Sequence, residues 1–143
     1  HVMVRFELEQ ALLSGDLPVA ELPAAWNAKM KEVLGVTPAH DAEGCMQDIH
    51  WAWGAIGYFP TYTLGNLYAA QLVHAYERHH PGLWDDVAKG NFAPLLGWLR
   101  ANIHRRGFTA SAQQIVGDAV GGPLVPKSSD GYLRHKYHAL YEL

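Results

Sequence analysis

The residues best suited to chemistry are concentrated in residues 44–51, which read GCMQDIHW. Three hydrogen-bonding side chains, Gln47, Asp48 and His50, lie within four residues, and an aromatic run follows at once. Polar groups in such apolar surroundings need partners, so the stretch indicates either a polar network or a ligand pocket. A network that only ties down a long buried loop is an equally open interpretation of these residue types.

The following stretch, residues 51–66, is uncharged, rich in aromatic residues and punctuated by glycine. Glycine lets the backbone approach other groups closely, and the phenols of Tyr58 and Tyr62 need hydrogen-bond partners if they are buried. The two stretches together are therefore the candidate functional segment of this chain.

Nine histidines raise the possibility of a metal site, so their spacing has to decide. There is no HExxH pair for zinc, and the single ExxH, residues 77–80, is one short of the two that a di-iron bundle needs. His135 and His138 are three residues apart, but they are flanked by Arg134 and Lys136. We expect solvated surface at both places, with a metal site at His135 and His138 as the minor alternative.

A nucleophile pair formed by Cys45 and His50 is a further alternative. An activated thiolate usually lies at a helix N-terminus or beside a cation, whereas Cys45 follows the acidic Glu43 within two residues. We therefore predict a small buried hydrophobe. As the only cysteine, Cys45 also excludes an internal disulfide and is typical of a reducing, cytoplasmic setting.

The composition indicates one ordinary globular domain. The chain has 143 residues, of which 49% are apolar and 17% charged. The net charge of −3 argues against a nucleic-acid interface. Residues 51–73 carry no charge, but they contain glycine, proline and polar residues that lipid would reject, so we expect burial within protein rather than a membrane span.

Hydrophobic spacing predicts an all-α fold of about seven helices with one long irregular segment, residues 36–60. The expected helices end at Gly15, Gly35, the residues before Pro81, Gly90, Gly107, Gly121 and the chain end. Thr63 is expected to begin the third helix, Thr109 or Ser111 to cap the sixth, and Ser128, Ser129 or Asp130 to cap the last. One or two short helical turns are expected near residues 44–51.

The beginning of the sequence has neither methionine nor a helix-capping residue before a helical pattern. A piece cut within a longer helix, or a trimmed expression tag, would have this character. We expect residues 1–143 to be a single helical fragment.

The same residues resemble a known family, the M32 (Taq-type) metallocarboxypeptidases. The family signature GxxQDxHW is matched in full by residues 44–51, and a second family block by residues 57–62 and 64–71. The start of the chain and residues 98–104 are also similar to the family, so the resemblance extends over essentially all 143 residues.

The family's HExxH zinc motif, its later glutamate ligand and its DxRxT and HPF motifs are not found in this sequence. The resemblance thus implies the C-terminal part of a broad-specificity carboxypeptidase, without the zinc site and inactive alone. Zinc, or another divalent metal such as cobalt, would belong to the full-length enzyme, and this part would bind none.

The resemblance also implies roles in the substrate cleft. His50 or Tyr62 would donate a hydrogen bond to the oxyanion or to the terminal carboxylate of the substrate, and which of His50, Tyr58 and Tyr62 contacts substrate is left open. Gln47 and Asp48 would orient His50 or bind the substrate backbone. The cleft wall would consist of Trp51, Tyr58 and Phe59.

Peptide substrates, a cytoplasmic location and a homodimer complete the expectations, with neither nucleic acid nor membrane as a partner. A dimer would cover surfaces that normally pack against other helices of the enzyme. The alternative from another class is a stand-alone helical module that binds a peptide or a protein through the aromatic segment.

Overall fold

The computed structural model describes residues 1–142, and in these residues every regular element is helical. These residues contain seven α-helices, which confirms the all-α prediction. They are α1 (Val2–Ser14), α2 (Leu22–Leu34), α3 (Pro60–Glu77), α4 (Leu83–Ala88), α5 (Ala93–Asn102), α6 (Ala112–Val120) and α7 (Lys127–Tyr141). Two single 3-10 turns, Val19–Glu21 and His104–Arg106, precede α2 and follow α5.

Three helix boundaries differ from the sequence predictions. Helix α3 begins at Pro60 rather than Thr63, because proline suits a first turn in which the missing N–H has no partner. Helix α5 ends at Asn102, and the residues expected to continue it form the 3-10 turn. Helix α7 begins at Lys127 directly after Pro126, whose φ of −62° and ψ of −25° are already helical, so none of the three predicted caps is used.

Other helix ends follow the predicted chemistry. The Ser111 hydroxyl accepts a hydrogen bond from the Gln114 amide at 3.2 Å, which confirms one of the two expected caps of α6. Gly15 and Gly35 end α1 and α2 in the left-handed conformation, with φ values of 84° and 69°.

Residues 36–59 contain no helix, as expected of the long irregular segment. The helical turns expected near residues 44–51 are hydrogen-bonded turns instead. The Gly44 amide donates to the Asp41 carbonyl at 3.0 Å, and the Ala55 amide donates to the His50 carbonyl at 2.8 Å.

The chain groups into two compact units that divide after Leu64, within α3. The first unit, His1–Leu64, has a core of Val4, Leu8, Trp26 and Cys45. Half-buried hydrophobic residues of the α1–α2 loop, of α2 and of the irregular segment pack around this core. Because Val4 and Leu8 belong to α1 and Trp26 to α2, the core joins the irregular segment to two helices.

The second unit, from Gly65 onward, has a smaller core of Ala75, Val116 and Val120. The buried Gln71 side chain donates to the Pro123 carbonyl at 2.7 Å and accepts from the Val125 amide, which fixes the loop before α7. Among the described residues, no helix has the length and apolar character needed to cross a membrane.

Candidate functional site

The candidate site is built on the irregular segment of the first unit, which α1 holds by charged side chains. The Nε atom of the Arg5 guanidinium donates to the Asp48 carboxylate, and its Nη1 atom donates to the His1 carbonyl at 3.1 Å. The same guanidinium lies over the Trp26 ring, 4.8 Å from the centroid. Asp48 is thereby fixed to α1 by a charge-assisted hydrogen bond.

A second attachment is made by Glu9, one helical turn after Arg5. One carboxylate oxygen accepts from the Trp51 indole N–H at 2.8 Å, and the other accepts from the Gly57 amide at 2.7 Å. Gly57 has a φ of +76°, a conformation that residues with a side chain rarely adopt. The chain reversal at Gly57 therefore favours glycine, and its amide is available to Glu9.

Helix geometry explains why both attachments come from one face of α1. Residues four apart lie on the same face, so Arg5 and Glu9 flank the core residues Val4 and Leu8. Arg5 is 8% exposed and Glu9 only 3%. Each buried charge has the partners that burial requires.

His50 is the centre of an aromatic cluster at the surface of the same unit. Its ring stacks on Tyr58 with centroids 5.5 Å apart and contacts Phe59 at 4.9 Å. The His50 Nε2 atom lies 3.2 Å from the Tyr62 hydroxyl oxygen, within hydrogen-bond distance. Tyr58 and Tyr62 remain 44% and 45% exposed, so this cluster is accessible to a ligand.

The two nitrogens of His50 have different surroundings. The Nδ1 atom is buried without a hydrogen-bond partner, and it lies 3.9 Å from an Asp48 carboxylate oxygen. That separation permits electrostatic attraction but exceeds a hydrogen bond. Since Nδ1 points inward, a ligand would meet His50 at Nε2, beside the Tyr62 hydroxyl.

Tyr62 stays a neutral phenol over a wide pH range. Desolvation raises the pKa of Tyr62, and the adjacent Tyr58 and the negative charge of Asp48 act in the same direction. The hydroxyl can therefore donate one hydrogen bond at neutral and mildly alkaline pH.

The structure divides the residues predicted from the sequence into two groups. His50, Tyr58 and Tyr62 form the exposed cluster, whereas Asp48 and the half-buried Trp51 are attached to α1. Gln47 is exposed, and its side chain takes part in none of the hydrogen bonds found in residues 1–142.

Arg5 and Glu9 are the two residues of this site that the sequence interpretation did not include. Each of these charges lies next to a core residue in the sequence, Arg5 beside Val4 and Glu9 beside Leu8. Two opposite charges at a spacing of four on the apolar face of a helix are the signal that would have identified them.

Within residues 1–142 no three or more His, Cys, Asp or Glu side chains come together as a metal site would require. His79 and His80 are exposed just after the end of α3, where His80 stacks on Tyr76 with centroids 4.2 Å apart. His135 and His138 are also exposed. Cys45 is buried, and burial raises the pKa of its thiol, which is the reverse of thiolate activation.

The arrangement thus offers a hydrogen-bonding pair, His50 Nε2 and the Tyr62 hydroxyl, set in an aromatic surface. Such a pair can bind a carboxylate or an oxyanion and exclude water from its apolar side. The described residues do not fit a zinc ion, because the donor set that zinc needs is not assembled among them.

Comparison with known proteins gives a single family. The family model described as carboxypeptidase Taq (M32) metallopeptidase matches residues 1–137. The chain is 45% identical over 141 residues to thermostable carboxypeptidase 1 of Thermus thermophilus, a match that covers 99% of this chain and 28% of the relative. It is 41% identical over 143 residues to carboxypeptidase 1 of Bacillus subtilis, covering 100% of this chain and again 28% of the relative.

Solved structures agree with the sequence comparison. The crystal structure titled BsuCP aligns with a TM-score of 0.94 at 40% identity, over 99% of this chain and 28% of that one. An M32 carboxypeptidase from Deinococcus radiodurans R1 aligns with a TM-score of 0.93 at 41% identity, over 100% of this chain and 29% of that one. This chain therefore spans between a quarter and a third of the length of these relatives.

Proposed function

The chain belongs to the carboxypeptidase Taq (M32) metallopeptidase family, and we propose that it forms one wall of the substrate cleft of a metallocarboxypeptidase, as the C-terminal part of that enzyme. The resemblance of residues 44–51 to the family signature suggests this role. The observation that carries the proposal is the pairing of His50 Nε2 with the Tyr62 hydroxyl, 3.2 Å apart, on an exposed aromatic surface.

The reaction is hydrolysis of the last peptide bond of a peptide. Water adds to the scissile carbonyl and negative charge develops on its oxygen. The bond to the leaving amino acid then breaks as a proton from the water passes to its nitrogen. His50 Nε2–H or the Tyr62 hydroxyl donates a hydrogen bond either to that oxygen or to the terminal carboxylate. In this role both groups only donate hydrogen bonds, so neither transfers a proton.

The other predicted residues orient the segment that carries His50, exclude water or bind the substrate backbone. Asp48, through its attachment to Arg5, and Trp51, through Glu9, orient the segment that carries His50. The rings of Tyr58 and Phe59 exclude water from the cleft. Gln47, exposed beside Asp48, binds the substrate backbone. Apolar ring surfaces accept many side chains, which suits the broad specificity that we propose.

The metal would be zinc, or another divalent ion such as cobalt, and residues that are not in this chain would bind it. This chain alone would therefore be inactive and bind no stoichiometric metal. A homodimer and a cytoplasmic location remain predictions as well, the second resting on the single cysteine.

The test compares the full-length enzyme with this 143-residue chain on a peptide with a free carboxyl terminus. Mass spectrometry of the full-length enzyme should show stepwise loss of C-terminal residues, which a chelator abolishes and added zinc restores. The same peptide with a C-terminal amide should react much more slowly. Robust turnover by this chain alone with added zinc would contradict the proposal that the metal is bound outside this chain.

A stand-alone binding module is the second candidate, and one observation favours it. A groove of about 860 Å³ in the second unit is lined by residues of α3, α4 and α7, including Trp84 and Tyr132. A peptide or partner helix bound there or on the aromatic segment would require no hydrolysis. Tight peptide binding without turnover by the full-length protein would support this candidate.

A further inference from the structure

Three points of the irregular segment are held by two side chains of α1. Asp48 is held by Arg5, and both Trp51 and Gly57 are held by Glu9. We call Arg5 and Glu9 the α1 clamp.

The three residues held by the α1 clamp are sequence neighbours of His50 and Tyr58 in the aromatic cluster. His50 lies two residues after Asp48 and directly before Trp51, and Tyr58 directly follows Gly57. The stacking of His50 on Tyr58, with centroids 5.5 Å apart and planes 22° apart, brings together two parts of the chain that Glu9 holds at once.

His50 is fixed less firmly by its own hydrogen bonds than its neighbours are by theirs to Arg5 and Glu9. Among residues 1–142, its Nδ1 has no hydrogen-bond partner, and its Nε2 has only the hydroxyl of Tyr62, a side chain that is 45% exposed. The backbone on each side of His50, together with the contacts of its ring with Tyr58 and Phe59, therefore holds the ring in place.

Burial of Arg5 and Glu9 stabilises the arrangement in which their hydrogen bonds are formed. A buried carboxylate that loses its donors is left uncompensated, so Glu9 disfavours any arrangement in which Trp51 or Gly57 moves away. The Arg5 guanidinium lies over the rings of Trp26 and Phe59, 4.8 and 5.9 Å from their centroids, and these contacts also restrict its movement.

From this geometry we propose that Arg5 and Glu9 are positioning residues for the hydrolytic site, which set the place and orientation of His50 for the transition state. This inference rests on the proposed function. It assigns a catalytic consequence to two buried side chains that do not touch the substrate.

Glu9→Gln in the full-length enzyme is the central variant. The shape is kept, but the amide has one acceptor oxygen where the carboxylate has two, so either Trp51 or Gly57 loses its partner. We expect kcat to fall about 10-fold or more with a smaller change in KM, because a slightly misplaced catalytic group loses transition-state stabilisation. The matched control is Glu7→Gln on the exposed face of α1, which should stay within about twofold of wild type.

A double-mutant cycle separates positioning from general destabilisation. In a His50→Ala background, Glu9→Gln should change kcat/KM by less than about twofold, because the group it positions is gone. Equal falls in both backgrounds, or equal effects of Glu9→Gln and Glu7→Gln, would overturn the inference. Glu9→Asp keeps both acceptor oxygens and should recover part of the activity. If Glu9→Gln does not fold, Glu9→Asp against Glu7→Asp in the same cycle decides the question.

A spectroscopic measurement distinguishes failure of this inference from failure of the proposed function. With ¹³C-labelled histidine in the full-length enzyme, the His50 signal is identified by its loss in His50→Ala. Glu9→Gln should shift that signal, and Glu7→Gln should not. A normal rate for His50→Ala would refute the proposed function. The His50 signal tests the α1 clamp separately. An unshifted signal in Glu9→Gln would show that Glu9 does not position His50 and would overturn the inference.

Discussion

At the scale of single residues, burial distinguishes the three charged side chains of α1. Glu7 is exposed and pairs with Lys29 at 2.8 Å, an arrangement that contributes little to stability. Arg5 and Glu9 are buried, and each has partners in the irregular segment. The sequence names all three charges but does not indicate which of them a distant loop will cover.

Cys45 gives a prediction for pH dependence. Burial, followed by the nearby Asp41 carboxylate, raises the pKa of this thiol above its ordinary value of 9.0. A raised pKa leaves less reactive thiolate at pH 8, so iodoacetamide should modify the folded protein about tenfold or more slowly than the urea-unfolded protein. The stability from the neutral thiol is present below the unfolded pKa and is lost as the pH rises through the folded pKa. Equal alkylation rates in the two states would contradict the burial of Cys45.

At the scale of elements, the sequence predicted best where one local cause decides the outcome. Glycines end α1 and α2, and Ser111 caps α6, as their chemistry requires. The start of α7 was predicted wrongly, because three capping residues follow Pro126 and the backbone becomes helical before any of them. Cap preference is a weak signal when several candidates are adjacent.

The irregular segment shows a different limit of prediction. Its existence follows from its prolines and glycines, and His50, Tyr58 and Tyr62 were named as candidates from residue type and from the family resemblance. Its attachments to α1 join residues 42 to 48 positions apart, which no local pattern contains. The candidate residues could thus be named from the sequence, and their role stays a prediction, whereas the side chains that hold them could not be identified.

The packing of α1 gives a stability prediction. Leu8 is 4% exposed in the core with Trp26 and Cys45, whereas Leu13 on the same helix is 65% exposed. Leu8→Ala should lower the free energy of unfolding by about 2–5 kcal/mol, because it removes buried surface and leaves a cavity. Leu13→Ala should change it by less than about 0.5 kcal/mol. Urea denaturation followed by circular dichroism measures both, and similar losses would contradict the assignment of the core.

At the scale of the whole molecule, the chain corresponds to about 28% of the length of its curated relatives. The family and the all-α fold are established for this part, and the described residues assemble no metal site. Under the proposed function, this chain contacts the substrate and other parts of the enzyme bind the metal. Its exposed aromatic cluster is consistent with a cleft wall that faces such parts.

His50→Ala in the full-length enzyme tests this account most directly. The variant removes a hydrogen-bond donor without touching a metal ligand, so kcat/KM should fall about 10²-fold or more while zinc content and the unfolding transition stay as in wild type. Tyr141→Phe, an exposed tyrosine on α7, is the control and should keep full activity. A rate near that of wild type, accompanied by lowered stability, would show that His50 only supports the irregular segment and would contradict the account.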